Sequence, residues 1–352
     1  MADHSMVENP YEPAIETEEA LEEHLSRPNR RVINAVGQDD GDIVLLGAGG
    51  KMGPTLARMA KRAVTDAGVD KKIVAVSRFS DPGIREQLEG MGIEAIAADL
   101  LDQHAIEALP DAGAVVYLAG RKFGSTDNTS LTWVMNAFVP GMVARRYASA
   151  RIVALSSGNI YPFVAIDSGG ADESVAPDPV GQYAQSCLAR EQVFEYFSRA
   201  NHTPLCLIRL NYANDLRYGV LLDVAQMVND GQTIDLAMGY VNVIWGGDAN
   251  TAVLAALAAC EIPPRIINIT GLEAIAIRDV AERFGQLMNR KPVFSGSESS
   301  TSLMSNAGRY RKELGGPTIS VDQMIRWIVH WVKIGGTTMK KPTHFQTRDG
   351  KF

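Results

Sequence analysis

The chain has 352 residues, of which 46% are hydrophobic and 21% are charged, and its formal net charge is −7. This balance is ordinary for a globular protein and argues against a nucleic-acid binder, since such proteins carry a basic face. The sequence contains no run of 18 apolar residues, so no membrane span is predicted. The acidic first residues, Met1 to Glu19, lack a signal pattern. We therefore expect a cytoplasmic protein with neither nucleic acid nor a membrane as partner.

The cysteines predict no disulfide framework and no metal site. Cys187, Cys206 and Cys260 are odd in number and far apart, and none of the six histidines pairs with another at metal-ligand spacing. Cys206 and Cys260 stand in apolar surroundings and are expected to be small core residues.

Five apolar runs alternate with helical segments from residue 42 onward. A short amphipathic helix is predicted after Thr17, ending before Pro28. The helices that follow are predicted near 55–64, 84–90, 103–108 and 131–148, and the strands at 43–46, 72–77, 93–97, 114–118 and 151–155.

This alternation predicts an α/β fold with a doubly wound parallel sheet, a Rossmann fold. We expect residues 1–40 to be an N-terminal extension and residues 41–210 to form the nucleotide-binding domain. Residues 211–352, in which the alternation weakens, are expected to form mainly a smaller α+β substrate-binding domain and a C-terminal tail, with some segments returning to the first domain.

A glycine-rich turn joins the first strand to the first helix of the sheet. Gly47 permits the tight turn, Gly50 lets backbone N–H groups approach a pyrophosphate, and Gly53 lets the helix pack closely. The helix N-terminus supplies partial positive charge for phosphates. The alternative is a structural turn without a ligand, but the strand–turn–helix context favours a bound dinucleotide.

The end of the second strand bears on the choice between NAD and NADP. An acid there binds the ribose hydroxyls of NAD, whereas an Arg accepts the 2′-phosphate of NADP. The sequence reads Ser77-Arg78 and lacks the acid, which favours NADP modestly. The alternative is that Arg78 is a surface residue and the cofactor is NAD.

The motifs along the chain resemble those of the extended short-chain dehydrogenase/reductases, the NAD-dependent epimerase/dehydratase family. Gly47, Gly50 and Gly53 match its glycine turn, and Asp99-Leu100 matches the Asp-Leu that meets the adenine. Further matches are 117–122 at the end of the fourth strand, 157–161 at the end of the fifth and 268–271 near the closing strand. The resemblance spans about residues 42 to 335.

The active-site helix departs from the family at one position. The family pattern Tyr-x-x-x-Lys appears here as Tyr183 followed four residues later by Cys187. In the family, the lysine helps to lower the pKa of the Tyr. A free Tyr titrates near pH 10, so a base at neutral pH needs a shift of about 3 units, or about 4 kcal/mol. A neutral Cys cannot supply that support, and we expect no nucleophilic role for it because no base lies nearby in sequence.

The resemblance implies a set of site residues. Tyr183 is the expected acid/base, Ser157 the residue that hydrogen-bonds the reacting oxygen, and Lys122 the helper that partly replaces the missing lysine, unless it only meets phosphate or solvent. Substrate contacts are expected from Ser157, Asn159, Tyr183, Arg209 and Asn211. Cofactor contacts are expected from Gly47, Gly49, Gly50, Lys51, Met52, Gly53, Ser77, Arg78, Asp99, Leu100, Ala119, Gly120, Lys122 and Cys187.

The resemblance implies an NAD(P)-dependent oxidoreductase or epimerase that acts on a hydroxyl or carbonyl of a sugar-like polar substrate, and the substrate class rests on the resemblance alone. The alternative is a non-catalytic NAD(P)-binding sensor or scaffold that has lost the lysine. The resemblance also implies a homodimer, formed by the Tyr183 helix and the helix near 131–148. Asp248 is expected to be a structural helix N-cap.

Overall fold

The computed structural model describes residues 12–38, 41–122 and 124–351. Its first half contains, in chain order, α1 (Glu18–Leu25), α2 (Arg30–Gly37), β1 (Ile43–Leu46), α3 (Gly53–Ala67), β2 (Ile73–Ser77), α4 (Pro82–Gly90), β3 (Glu94–Ala97), α5 (Gln103–Glu107), β4 (Ala114–Tyr117), α6 (Thr129–Trp133), a π-helical turn (Val134–Phe138), α7 (Val139–Arg146), β5 (Arg151–Ser157), a 3-10 turn (Gly158–Ile160), β6 (Val164–Ala165) and α8 (Gly181–Asn201).

The second half has shorter strands between its helices. It contains β7 (Leu205–Leu210), β8 (Ala213–Asn214), α9 (Val220–Asn229), β9 (Thr233–Asp235), β10 (Tyr240–Val241), β11 (Ile244–Trp245), α10 (Gly246–Ala255), a 3-10 turn (Ala256–Ala259), β12 (Arg265–Ile269), β13 (Ile275–Ala276), α11 (Ile277–Met288), β14 (Val293–Ser295), β15 (Thr301–Ser302), α12 (Gly308–Leu314) and α13 (Val321–Lys333). None of the described helices is long and apolar enough to cross a membrane.

Seven parallel strands form the central sheet in the order β12-β7-β5-β4-β1-β2-β3. The order reverses beside β1, where the chain moves to β2 and β3 on one side and to β4 and β5 on the other. This confirms the predicted Rossmann fold. The crevice beside β1, at the carboxyl ends of the strands, is where such sheets bind ligands.

Alternating side chains of each strand fill a core on each face of the sheet. Ile43 and Leu45 of β1 pack in a cluster with α2, α3 and α10, whereas Val44 and Leu46 pack in a second cluster with α7 and α8. A strand that is apolar at every position is therefore buried on both faces, as the sequence indicated.

The helix predicted near 131–148 is interrupted in its middle. It runs through α6, the π-helical turn and α7 without leaving helical geometry. The π turn contains Asn136, which is completely buried. Such turns concentrate at functional sites because the extra residue changes the direction of a side chain.

The segments at both ends of the chain pack against the rest. Thr17 caps α1 by accepting a hydrogen bond from the Ala20 backbone N–H. Leu21 and Leu25 of α1 enter a third core with α9, α11 and α13, and α2 packs on α3 and α10. After α13, the tail returns along the surface and buries Phe345 in the same third core.

Candidate functional site

A cavity of about 290 Å³ opens at the carboxyl ends of β1, β4, β5 and β7. It lies at the point where the strand order reverses, and it brings together residues that are far apart in sequence. Among those that line it are Gly47, Gly50, Lys51, Met52, Gly53, Gly120, Lys122, Ser157, Asn159, Tyr183 and Asn211, all of them predicted site residues.

The glycine turn has the shape that a pyrophosphate requires. Gly47 adopts a positive φ of 92°, and a side chain on Gly53 would overlap the backbone of Ala48, so both positions need glycine. A Cβ at Gly50 would instead meet only the Gly47 carbonyl oxygen, at 3.4 Å. The space in front of Gly50 is therefore open toward the cavity, where α3 begins.

Several buried polar atoms in the cavity wall have no hydrogen-bond partner among the described residues. They belong to Ser156 (Oγ), Asn211 (Nδ2), Asn250 (Oδ1) and Arg121 (Nε). Buried polar groups are normally paired, so this concentration fits a wall that meets the polar groups of a ligand. Together with the open glycine turn, it fits a dinucleotide and its substrate.

Ser157 and Tyr183 meet where β5 ends and α8 begins. Ser157 Oγ accepts from the Asn159 backbone N–H and donates to Asn159 Oδ1, both at 3.1 Å, so it also caps the 3-10 turn. Burial raises the pKa of Tyr183, and a hydrogen bond between the Ser157 and Tyr183 side chains opposes that rise. The hydroxyl pair has the contact that an acid/base and its partner need.

Lys122 reaches the same point from the segment after β4. Its Nζ lies 5.9 Å from the centroid of the Tyr183 ring. Burial lowers the pKa of Lys122 to about 8. The predicted helper therefore lies beside the predicted acid/base, in a position to act on it electrostatically.

Cys187 lies on the Tyr183 face of α8 but does not reach the cavity. Its side chain is completely buried among Ile160, Tyr161 and Ala171. Burial raises the pKa of the thiol, so it is neutral near pH 7. Cys187 does not line the cavity, and the cofactor contact expected of it stays a prediction.

Arg209 does not line the cavity, and the substrate contact expected of it stays a prediction. Its guanidinium donates to both carboxylate oxygens of Glu191, at 2.8–3.3 Å, and to the Tyr161 hydroxyl at 2.6 Å. Arg209 and Glu191 are both about 5% exposed. The guanidinium is thus occupied by a buried ion pair between β7 and α8.

The other expected cofactor residues follow the neighbouring strands. Arg78 and Asp99 are exposed after β2 and β3, Leu100 and Ala119 are buried, and Gly120 lines the cavity. A side chain on Gly49 would overlap Ser77 Oγ, which places the ends of β1 and β2 in contact. Apart from Gly120, these residues do not line the cavity.

Lys51 of the glycine turn points into a charged part of the cavity. Its Nζ lies 3.1 Å from the centroid of the Tyr218 ring. Burial, the charge of Lys122 and that of Lys341 lower the pKa of Lys51 to about 7, whereas Asp215 and Asp223 raise it. The carboxyls of Asp215 and Asp223 have raised pKa values because of their own burial.

Sequence reasoning missed residues that both ends of the chain bring to the site. Leu25 of α1, together with Met339 and Thr343 of the tail, lines the cavity. Thr343 is held by Asp223 Oδ2, which accepts hydrogen bonds from the Thr343 backbone N–H at 2.7 Å and from its hydroxyl at 2.6 Å.

The N-cap expected at Asp248 is wrong. Asp248 instead lies inside α10 and accepts three hydrogen bonds from Thr318 and Ile319.

One protein-family model matches the segment that carries most of the predicted site residues. The family model described as the NAD dependent epimerase/dehydratase family matches residues 43–216. The segment with the glycine turn, Ser157 and Tyr183 belongs to this family. A search of curated protein sequences gives no significant match.

Several solved structures share the fold of this chain. UDP-glucuronic acid 4-epimerase from Bacillus cereus in complex with NAD is 17% identical, with a TM-score of 0.69 over 83% of this chain and 96% of that one. UDP-glucose 4-epimerase from Thermotoga maritima with UDP-glucose is 15% identical, with a TM-score of 0.68 over 83% and 98%. DesIV, a dTDP-glucose 4,6-dehydratase from Streptomyces venezuelae with NAD bound, is 17% identical, with a TM-score of 0.69 over 83% and 97%.

Proposed function

We propose that the protein is an NAD(P)-dependent enzyme that oxidises or reduces one hydroxyl or carbonyl carbon of a sugar-like polar substrate. The observation that carries this proposal is the shared cavity, in which the glycine turn and the Ser157–Tyr183 pair face the same space. When bound, the nicotinamide supplies the hydride acceptor or donor.

The glycine turn and α3 would hold the pyrophosphate by backbone N–H groups in front of Gly50. Gly120 and Lys122 would border the nicotinamide end, since both line the cavity next to Tyr183.

Tyr183 would move the proton in this reaction. In the oxidative direction, ionised Tyr183 takes the substrate hydroxyl proton while the hydride leaves the same carbon, and a carbonyl forms. Ser157 donates to the reacting oxygen and steadies its charge. In the reverse direction, Tyr183 returns the proton to that oxygen.

The cavity favours a polar substrate with a negative charge. The tail residues Met339 and Thr343 close one side of it, and Lys51 and Lys122 bring cationic groups to its wall. The structural neighbours were solved with UDP-glucose, UDP-glucuronic acid and NAD. We therefore infer a substrate with several hydroxyls and an acidic group, either a sugar acid or a nucleotide sugar.

The proposal is tested by adding NAD⁺ or NADP⁺ with a panel of sugars, sugar acids and nucleotide sugars. The near-ultraviolet absorbance of the reduced nicotinamide detects net oxidation, and NMR detects an epimerised product. Y183F should lose at least about a hundredfold in kcat, the usual contribution of acid/base catalysis. Y196F, which changes an exposed Tyr on the same helix, should keep its activity. Equal activity in wild type and Y183F would contradict the proposal.

A second candidate function is favoured by the position of Cys187. With a buried thiol in place of the lysine and a raised Tyr183 pKa, the fold would act as a non-catalytic NAD(P)-binding sensor or scaffold. Under this alternative, the wild type binds the nucleotide but turns over no substrate. C187K would then switch on activity that C187M, a neutral chain of similar length, does not.

A further inference from the structure

A buried guanidinium lies one turn beyond Cys187 on the face of α8 that carries Tyr183. Tyr183, Cys187 and Arg190 are spaced by four and three residues, which places them in one row along the helix. Arg190 is 5% exposed, and it lines the cavity together with Tyr183 and Ser157. Arg is almost never buried unless it is paired.

The structure holds this guanidinium with neutral acceptors. Nε donates to the Asn136 carbonyl oxygen at 3.3 Å, Nη2 to Asn136 Oδ1 at 2.8 Å, and Nη1 to the Leu155 carbonyl oxygen at 2.7 Å. The positive charge is therefore fixed in position by amide oxygens that do not neutralise it.

Two neighbouring features make room for the guanidinium at the carboxyl end of the sheet. The π turn presents Asn136, whose side chain also pairs with the Arg121 backbone and with Ser186 Oγ. Any side chain on Gly120 would overlap Arg190 Nη2. A glycine at the end of β4 thus leaves the space that the charge occupies.

We propose that Arg190 is a positioning residue that supplies, from one turn farther along α8, the positive charge that the Tyr-x-x-x-Cys pattern lacks. It acts on the ionised form of Tyr183 through space. This inference deepens the proposed function and rests on Tyr183 as its proton-transfer group.

The charged and titratable groups around Tyr183 set the direction of the effect. Cys187 and Arg190 face it from α8, Lys122 faces it from the segment after β4, and Ser157 faces it from the end of β5. Burial and Cys187 raise the pKa of Tyr183, whereas the Arg190 charge and the Ser157 hydrogen bond lower it. Removing the Arg190 charge should therefore make Tyr183 a weaker acid.

The test follows tyrosinate formation by ultraviolet difference absorbance in the full-length protein saturated with NAD⁺. The Tyr183 signal is the difference between each protein and its Y183F partner. In wild type saturated with NAD⁺, the Tyr183 midpoint should lie below the ordinary tyrosine value of about 10, because the positive charges of Arg190 and of the oxidised nicotinamide together outweigh the effect of burial. In R190Q, the midpoint should rise by at least about 1 pH unit, a tenfold change in the ionised fraction. R190K, which keeps the charge, should stay near wild type.

Turnover gives an independent reading of the same shift. The acid limb of the kcat–pH profile should move to higher pH in R190Q. In the double variant C187K/R190Q it should return to the wild-type position. A uniform loss of activity at every pH, with an unmoved Tyr183 midpoint, would assign Arg190 a purely structural role and overturn the inference.

The remaining outcomes are also decisive. If R190Q does not fold, N136D takes its place, because a carboxylate at position 136 would neutralise the Arg190 guanidinium. A Tyr183 midpoint in N136D equal to that of wild type would overturn the inference. No Tyr183 ionisation below that of ordinary tyrosines in wild type overturns it as well. Wild type without turnover, but with a midpoint that depends on Arg190, defeats the proposed function and leaves this inference standing.

Discussion

Lys122 Nζ lies 5.9 Å from the centre of the Tyr183 ring, and both residues line the cavity. Its pKa of about 8 leaves it charged near neutral pH, and this charge is lost as the pH rises above 8. K122A should therefore lower kcat about tenfold at pH 7, which corresponds to about one pKa unit on Tyr183. The dissociation constant for NAD⁺ should change less than about threefold.

The two quantities are measured by steady-state kinetics and by calorimetric titration of the nucleotide. K72A serves as the control, since Lys72 is exposed before β2 and does not line the cavity. Equal losses in turnover and affinity would show that Lys122 only holds the cofactor.

Lys51 should couple nucleotide binding to proton uptake. With its pKa lowered to about 7 by burial, Lys51 is mostly neutral at pH 8. A pyrophosphate in front of the glycine turn favours the charged form of Lys51, so nucleotide binding at pH 8 should take up close to one proton. For the same reason, the affinity for the nucleotide should fall as the pH rises from 7 to 9. Titration calorimetry in buffers of different ionisation enthalpy measures the uptake. K51M should abolish it, and an undiminished uptake in K51M would contradict this role.

Arg78 should determine the preference between the two nucleotides. It is exposed after β2, where the 2′-phosphate of NADP would lie. A charged hydrogen bond contributes about 1.5–3 kcal/mol, so R78A should weaken NADP binding about ten- to a hundredfold and leave NAD within about twofold. R85A, which removes an exposed Arg of α4, is the matched control. An equal effect of R78A on both nucleotides would make Arg78 a surface residue only.

An apolar face along the π turn, α7 and α8 should form a homodimer interface. Phe138 and Tyr196 are 61% and 66% exposed, and Gly141 packs against Val193 and Phe197 between them. We expect a dimer by light scattering, and F138E should produce monomers because it buries a charge at the centre of that face. V293E, at an apolar residue exposed elsewhere, should remain dimeric. A monomeric wild type would contradict the prediction.

The sheet and the centre of the site could be predicted because their signals are local. Ile43 to Leu46 is apolar at every position, and the glycines follow at fixed spacing, so strand, turn and helix were identified together. Ser157 is the last residue of β5 and Tyr183 lies in the first turn of α8, and both were identified by motif. The helix α2 was missed, although Asn29 caps it and Val32, Ala35 and Val36 lie on one face.

The rest of the site depends on contacts that the sequence does not encode locally. Thr343 reaches the cavity only because Asp223, far away in sequence, accepts both of its hydrogen bonds. Arg209 was assigned to substrate because nothing in the sequence pairs it with Glu191. Arg190 was overlooked inside a stretch that otherwise matches the family, although its spacing from Tyr183 placed it on the same helix face.

The central claim is that a nucleotide binds at the glycine turn. The most direct test denatures the purified protein and identifies any nucleotide released. The stripped protein is then titrated with NAD, NADP and their reduced forms. Wild type should bind at least one of them. G50V should fold normally but lose binding by at least about a hundredfold, because its side chain enters the open space that the pyrophosphate needs. G90A, at a helix position with free space, should bind like wild type. No binding of any form by wild type, or equal binding by wild type and G50V, would contradict the claim.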